Sequence, residues 1–206
     1  MTAKGDENAA SLYHAGMKRL LLTGFGPFPG APENPTALIV QSLAARPLDG
    51  AELVTRILPV IWDGAEARIA ALIDEVKPDV ILHLGLATKR STIGVETRAR
   101  NECTRLHPDA DNMCRASGTI DPLGPGLRHA RVDTVKLVEV LCGLGLDAEL
   151  SDDAGDYICN HTLYLSLGSS VPRAGFIHLP TPNEQMTLAA MQNGIENVLR
   201  VMARET

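Results

Sequence analysis

Cysteine is scarce in this 206-residue chain. There are four (Cys103, Cys114, Cys142 and Cys159), and no two form a C-x-x-C pair. That spacing excludes zinc-ribbon and thioredoxin-type sites, and with no export signal in view it implies reduced thiols and a cytoplasmic protein. Cys103 and Cys114 flank a loop and are the pair that oxidation could close. Aromatic residues make up only 3% of the chain, which argues against an all-β protein. No block of basic residues occurs and the net charge is −6, which speaks against nucleic acid as a partner. No apolar run approaches the ~20 residues that span a bilayer, so no membrane partner is expected. The first 17 residues, MTAKGDENAASLYHAGM, lack an apolar stretch and read as a disordered extension (1–17) ahead of one domain (18–206).

What is present is an alternation of strand and helix signals, with 45% hydrophobic residues. Lys18 to Thr23 is an apolar run that ends in a glycine turn and reads as a buried first strand. Asn34-Pro35 opens a helix that stops before Pro47, with asparagine as cap and proline in the first position. Glu52 to Val60 reads as a strand, and Asp63 as the cap of a helix ending before Pro78. Asp79 to Ala87 is almost wholly apolar, as a central strand covered on both faces should be. Thr88 to Arg131 breaks into Gly, Pro, Asn and Asp, an unusually long irregular stretch and therefore a functional suspect. Helix Asp133–Leu144, strand Ala148–Leu150, helix Asp156–Leu167, strand Ala174–Leu179 and helix Gln185–Ala203 complete the series. The expected fold is a single three-layer α/β/α sandwich with a mostly parallel, mixed central sheet.

"TGFGPFPG" (Thr23 to Gly30) looks at first like a phosphate loop. Its glycines do not fit G-x-G-x-x-G, and Pro27 and Pro29 remove two amides that a phosphate would need. What remains is a rigid turn that presents Phe25 and Phe28. "LSDDAGDYICNHTLY" places Cys159 just past a strand, an acidic turn and a glycine. A helix that begins near Gly155 puts this thiol in the first turn, where the positive end of the helix favours thiolate. A buried structural cysteine is the plain alternative. A thiol nucleophile needs a base. His161 lies two residues on and faces another side of the same helix, whereas His178 in "GFIHLP" ends the following strand. Sites in open α/β sheets gather at the carboxyl ends of strands, which favours His178. Glu96, in "IGVETRARN", is the candidate carboxylate to orient that histidine.

Together these stretches resemble the type I pyroglutamyl peptidase (pyrrolidone-carboxylate peptidase) family of cysteine peptidases. "LSDDAGDYICN" is similar to its cysteine signature, "GLATKRSTIGVETRARN" to its glutamate signature, "GFIHLP" to its histidine strand and "TGFGPFPG…NP" to its N-terminal turn. The resemblance runs in family order from about Met17 to the C-terminal helix. It implies Cys159 as nucleophile, His178 as general base and acid, and Glu96 as the group that orients it. It also implies Phe25 and Phe28 as walls for the lactam ring, Asn34 as a brace for the turn, and Arg105 as an oxyanion contact one position out of register. No metal or cofactor is implied. The implied partners are peptides with N-terminal pyroglutamate and further copies of the chain, as a homo-oligomer and commonly a tetramer.

The glutamate stretch departs from the family pattern at Leu86, Thr88, Lys89, Gly94 and Thr97-Arg98. The expected activity is hydrolysis of N-terminal 5-oxoprolyl residues through a thioester. The alternatives are an inactive binding protein on the same scaffold and a thiol amidase with altered specificity.

Overall fold

A computed structural model describes residues 17–204. The extension expected over 1–17 therefore lies, except for Met17, outside the described residues. Strand β1 (Lys18–Phe25) pairs in parallel with β2 (Ala51–Leu58) on one side and β3 (Val80–Leu86) on the other. β3 pairs in parallel with β8 (Arg173–Leu179), which runs antiparallel to β4 (Ile93–Glu96). β4 in turn pairs in parallel with β7 (Ala148–Ser151). The six-stranded sheet thus has the order β2-β1-β3-β8-β4-β7 and one antiparallel contact. A separate two-stranded ribbon joins β5 (Arg98–Arg100) to β6 (Leu127–His129).

The strand sequences explain the layering. Alternate side chains of a strand leave opposite faces, so an apolar run must be covered twice. In β1, Leu20 and Leu22 join one core, together with α1 (Pro35–Leu43), α3 (Thr134–Gly143) and α5 (Leu188–Arg204). Leu21 joins the other, under α2 (Ala65–Val76) and α4 (Ile158–Gly168). β3 divides in the same way, with Leu82 and Leu84 on one face and Ile81 on the other. His83 shares the Ile81 face and is wholly buried. Its Nδ1 meets Thr23 Oγ1 at 2.6 Å and its Nε2 meets Ser166 Oγ at 2.8 Å, which ties β1, β3 and α4 together.

Three expectations need correction. The stretch 88–131 is not without regular structure, because it holds β4, β5 and β6. These strands are three or four residues long, and in β4 all four residues are buried, Glu96 included, so no period-2 signal arises. Asp63 is not a cap. Gly64 takes that position with φ 66°, and Asp63 instead offers its carbonyl to Arg68 Nη2 at 2.9 Å. The last helix begins at Leu188 rather than Gln185. The Asn183 side chain accepts from the amides of Gln185 and Met186, which fixes a turn where a helix was expected.

Candidate active site

The carboxyl ends of β3, β8 and β4 lie side by side, and the register decides what meets there. Gly85 on β3 is opposite His178 on β8, and His178 is opposite Gly94 on β4. A Cβ on Gly85 would come within 2.6 Å of Phe176 Cζ and 2.9 Å of Cys159 Sγ. Glycine is what lets the sulfur and the aromatic ring close on the sheet at this point. Cys159 reaches that place as the second residue of α4, which starts at Ile158, two residues after the expected Asp156, so that the thiol is still in the first turn. The approach is shaped by a tight turn in which Asp153 Oδ1 accepts the Gly155 amide at 3.0 Å and Gly155 takes φ 80°. Asn160, next to the cysteine, grips the long segment: its Oδ1 accepts the Arg100 amide and its Nδ2 donates to the carbonyls of Arg100 and Glu102.

His178 Nδ1 lies 2.7 Å from Glu96 Oε1, and both residues are buried. The bond occupies Nδ1 and leaves Nε2 to exchange a proton. The glutamate is therefore not a solvated loop residue; it ends a buried strand. Arg90 Nη1 donates to the same Oε1 at 3.0 Å. Its Nη2 donates to Ser151 Oγ at 3.1 Å and to the Asp153 carbonyl at 2.7 Å. Glu96 Oε2 is buried and has no partner among the described residues.

Helix position alone predicts a thiol shifted towards thiolate, and the surroundings reverse that. Burial pushes the Cys159 thiol up to about 12 and the Glu96 charge adds to the rise, against a smaller lowering by Arg90 and the Cys159 amide. Burial thus favours the protonated form of this thiol. His161 takes no part at the thiol: it is fully buried against Glu66, Arg115 and the edge of Trp62, and burial holds its pKa below the ordinary value.

Cys159 and His178 open onto one groove of about 680 Å³, with Lys89, Arg90 and His107 along its walls. Beside it a small recess of about 40 Å³ is lined by Phe25, Phe28, Asn34, Tyr157 and Cys159, among others. Phe25 is buried and Phe28 half-buried, on a turn closed by paired Phe28–Ala31 backbone bonds. Asn34 Nδ2 donates to the Gly26 carbonyl at 3.1 Å, while its Oδ1 accepts from the Thr36 amide and hydroxyl. One side chain both caps α1 and braces the turn. Arg105 is exposed and lines neither space. The arginine at the groove is Arg90, a residue of the glutamate stretch that carries no sequence signal of its own; for Tyr157 and Asn160 the sequence signal is nearness to Cys159. Among the described residues no cluster of side chains could hold a metal ion.

The chain as a whole is similar to known proteins of one family. A family model described as pyroglutamyl peptidase matches residues 18–199. The pyrrolidone-carboxylate peptidase of Pyrococcus furiosus is 34% identical over 173 residues, 82% of this chain and 83% of its own. That of Gloeobacter violaceus is 34% identical over 200 residues, 91% and 98% of the two chains. Among solved structures, the pyrrolidone carboxyl peptidase of Thermococcus litoralis superposes with a TM-score of 0.84 at 30% identity, covering 90% of this chain and 93% of its own. A mutant of the Pyrococcus furiosus enzyme gives 0.86 at 30% identity, covering 91% and 99%.

Proposed function

The chain belongs to the pyroglutamyl peptidase family of cysteine peptidases and hydrolyses N-terminal pyroglutamyl residues, and we propose that Cys159, His178 and Glu96 carry out the chemistry. The observation that supports this reading most is the buried Glu96–His178 bond of 2.7 Å, in which His178 lines the same groove as Cys159.

Burial favours the protonated thiol, and the proton moves during attack. His178 Nε2 takes the thiol proton as Sγ bonds to the pyroglutamyl carbonyl carbon. Glu96, on Nδ1, fixes the tautomer and stabilises the imidazolium that forms. The carbonyl oxygen becomes an oxyanion. No side chain caps the start of α4, so the Cys159 amide is available to receive that charge, and this amide is a better-placed donor than Arg105. The imidazolium protonates the departing amine as the C–N bond breaks, leaving a thioester. His178 then takes a proton from water, which attacks the thioester and releases pyroglutamate and the thiol.

The recess bounded by Phe25 and Phe28 suits a flat, neutral lactam, with Asn34 holding the turn that carries both rings. The substrates are accordingly peptides that begin with pyroglutamate. We place the enzyme in the cytoplasm as one domain over 18–206, and as a homo-oligomer, a tetramer by family resemblance. Exposed Leu106, Met113 and Leu123 on the segment between β5 and β6 supply apolar surface for such contacts. A fluorogenic pyroglutamyl amide tests the assignment: turnover that Cys159→Ala or His178→Ala abolishes in a folded protein supports it, and turnover that survives Cys159→Ala overturns it.

A further inference from the structure

Arg90 has no part in the scheme above, yet its guanidinium makes three hydrogen bonds at the site. It reaches from the β3–β4 loop to Glu96 on β4, to Ser151 at the end of β7, and to the Asp153 carbonyl in the turn before α4. These are the segments that carry the carboxylate and the nucleophile. We propose that Arg90 is a positioning residue for the hydrolysis, holding the Glu96 carboxylate against His178 from a seat that glycine at position 94 leaves open.

The first argument is charge. Glu96 is fully buried, and an isolated buried carboxylate is costly unless a cation and hydrogen bonds compensate it. His178 is neutral for part of the cycle, and Oε2 has no partner among the described residues. Arg90 is then the permanent cation on this carboxylate. Among the described residues no other carboxylate forms an ion pair with it, and the Asp153 side chain is paired with Arg100 at 3.0 Å. The second argument is space. A Cβ built on Gly94 would fall on Arg90 Nη1, the nitrogen that donates to Glu96. Gly94 is also the register partner of His178, so the missing side chain opens the path beside the histidine itself. A larger residue at position 94 must shift Nη1, the nitrogen that donates to Glu96.

The inference rests on the catalytic roles proposed for Glu96 and His178. Its test compares wild type, Arg90→Met, Arg90→Lys, Gly94→Ala and the Arg90→Met/Gly94→Ala double variant on a pyroglutamyl amide across pH, with thermal melts alongside. Small misplacements of a catalytic group reduce turnover by up to ~10²-fold. Arg90→Met should therefore lower kcat by about 10- to 100-fold with KM nearly unchanged. The pH dependence of kcat should change as well, because Arg90→Met removes a positive charge from the site. The groups that face this carboxylate are Arg90 and His178, with the Cys159 thiol beyond, and of these only Arg90 changes. Gly94→Ala should reproduce the loss with every charge retained, and the double variant should be no worse than the poorer single one. Arg90→Lys should recover part of kcat and most of the pH profile.

Unchanged kcat and pH profile in Arg90→Met, or losses that multiply in the double variant, would overturn the role. So would a lowered melting temperature with kcat intact, which marks a merely structural strap. Should Arg90→Met fail to fold, Gly94→Ala and Arg90→Lys decide the matter by the same criteria. A wild type inactive on the amide would overturn the catalytic assignment and the positioning role with it, whereas an active wild type beside an unaffected Arg90→Met overturns the positioning role alone.

Discussion

Glu96 Oε1 accepts from two sides at once, from His178 Nδ1 at 2.7 Å and from Arg90 Nη1 at 3.0 Å. In the role proposed for it, the carboxylate orients His178 and does not touch the scissile bond. Glu96→Gln keeps an oxygen that can accept but loses the charge. Within catalytic units of this kind an orienting carboxylate contributes about 10²-fold less to kcat than the nucleophile or base. Steady-state kinetics should therefore find Glu96→Gln clearly more active than Cys159→Ala or His178→Ala. A folded Glu96→Gln as inactive as Cys159→Ala would require Glu96 to touch the reacting atoms.

The four thiols should separate by consequence rather than by speed. Cys114 and Cys142 are exposed, whereas Cys159 is half-buried with its thiol pushed up to about 12. Iodoacetamide should label the two exposed cysteines without loss of activity. Inactivation should follow labelling of Cys159 alone and should accelerate steadily as pH rises through neutrality, since the alkylated species is the thiolate. Peptide mapping at timed points checks this, and a Cys114→Ser/Cys142→Ser variant should inactivate at the wild-type rate.

The recess should refuse charged and open-chain N-termini. Its aromatic walls offer no carboxylate to an ammonium, and prolyl, glutamyl and glutaminyl amides all bring one. Sites built around hydrogen bonds reject analogues that lack the partner by roughly 10⁴-fold. Comparable kcat/KM for the pyroglutamyl and prolyl amides would show a remade pocket. Phe28→Ala is the cleaner probe of the walls and should raise KM. Phe25 belongs to the buried core against Phe176, so Phe25→Ala should in addition destabilise the fold by about 3–5 kcal/mol.

Burial depresses the His83 pKa from its ordinary value to about 3. The folded state thus excludes a proton that the unfolded chain takes up near pH 6.5. Stability from this group is complete above that pH and is lost as pH falls towards 3, by at most about 1.4 kcal/mol per pH unit. Urea midpoints should decline between pH 6.5 and 4 in wild type. A folded His83→Asn variant, less stable at neutral pH, should show a shallower decline, and an equal slope in the two would assign the acid sensitivity to other groups.

The sequence by itself determined the layers and the order of most elements. Their signals are local: Leu20 to Leu22 and Val80 to Leu84 must be covered on both faces, and the Asn34-Pro35 start encodes a cap that forms as read. It also singled out Cys159, His178 and Glu96, through position relative to strand ends and through resemblance. What only the tertiary structure decided are the properties that arise between distant segments. β4 is too short and too evenly buried to announce itself, and pairing with β8 and β7 is what makes it a strand. The direction of the Cys159 shift could not be read from its helix position, because burial and the Glu96 charge raise it. Arg90 was one charged residue in a loop until register set Gly94 beside His178 and left room for its guanidinium. Local propensity is written along the chain, whereas desolvation and hydrogen-bond partnership depend on which segments the sheet brings together.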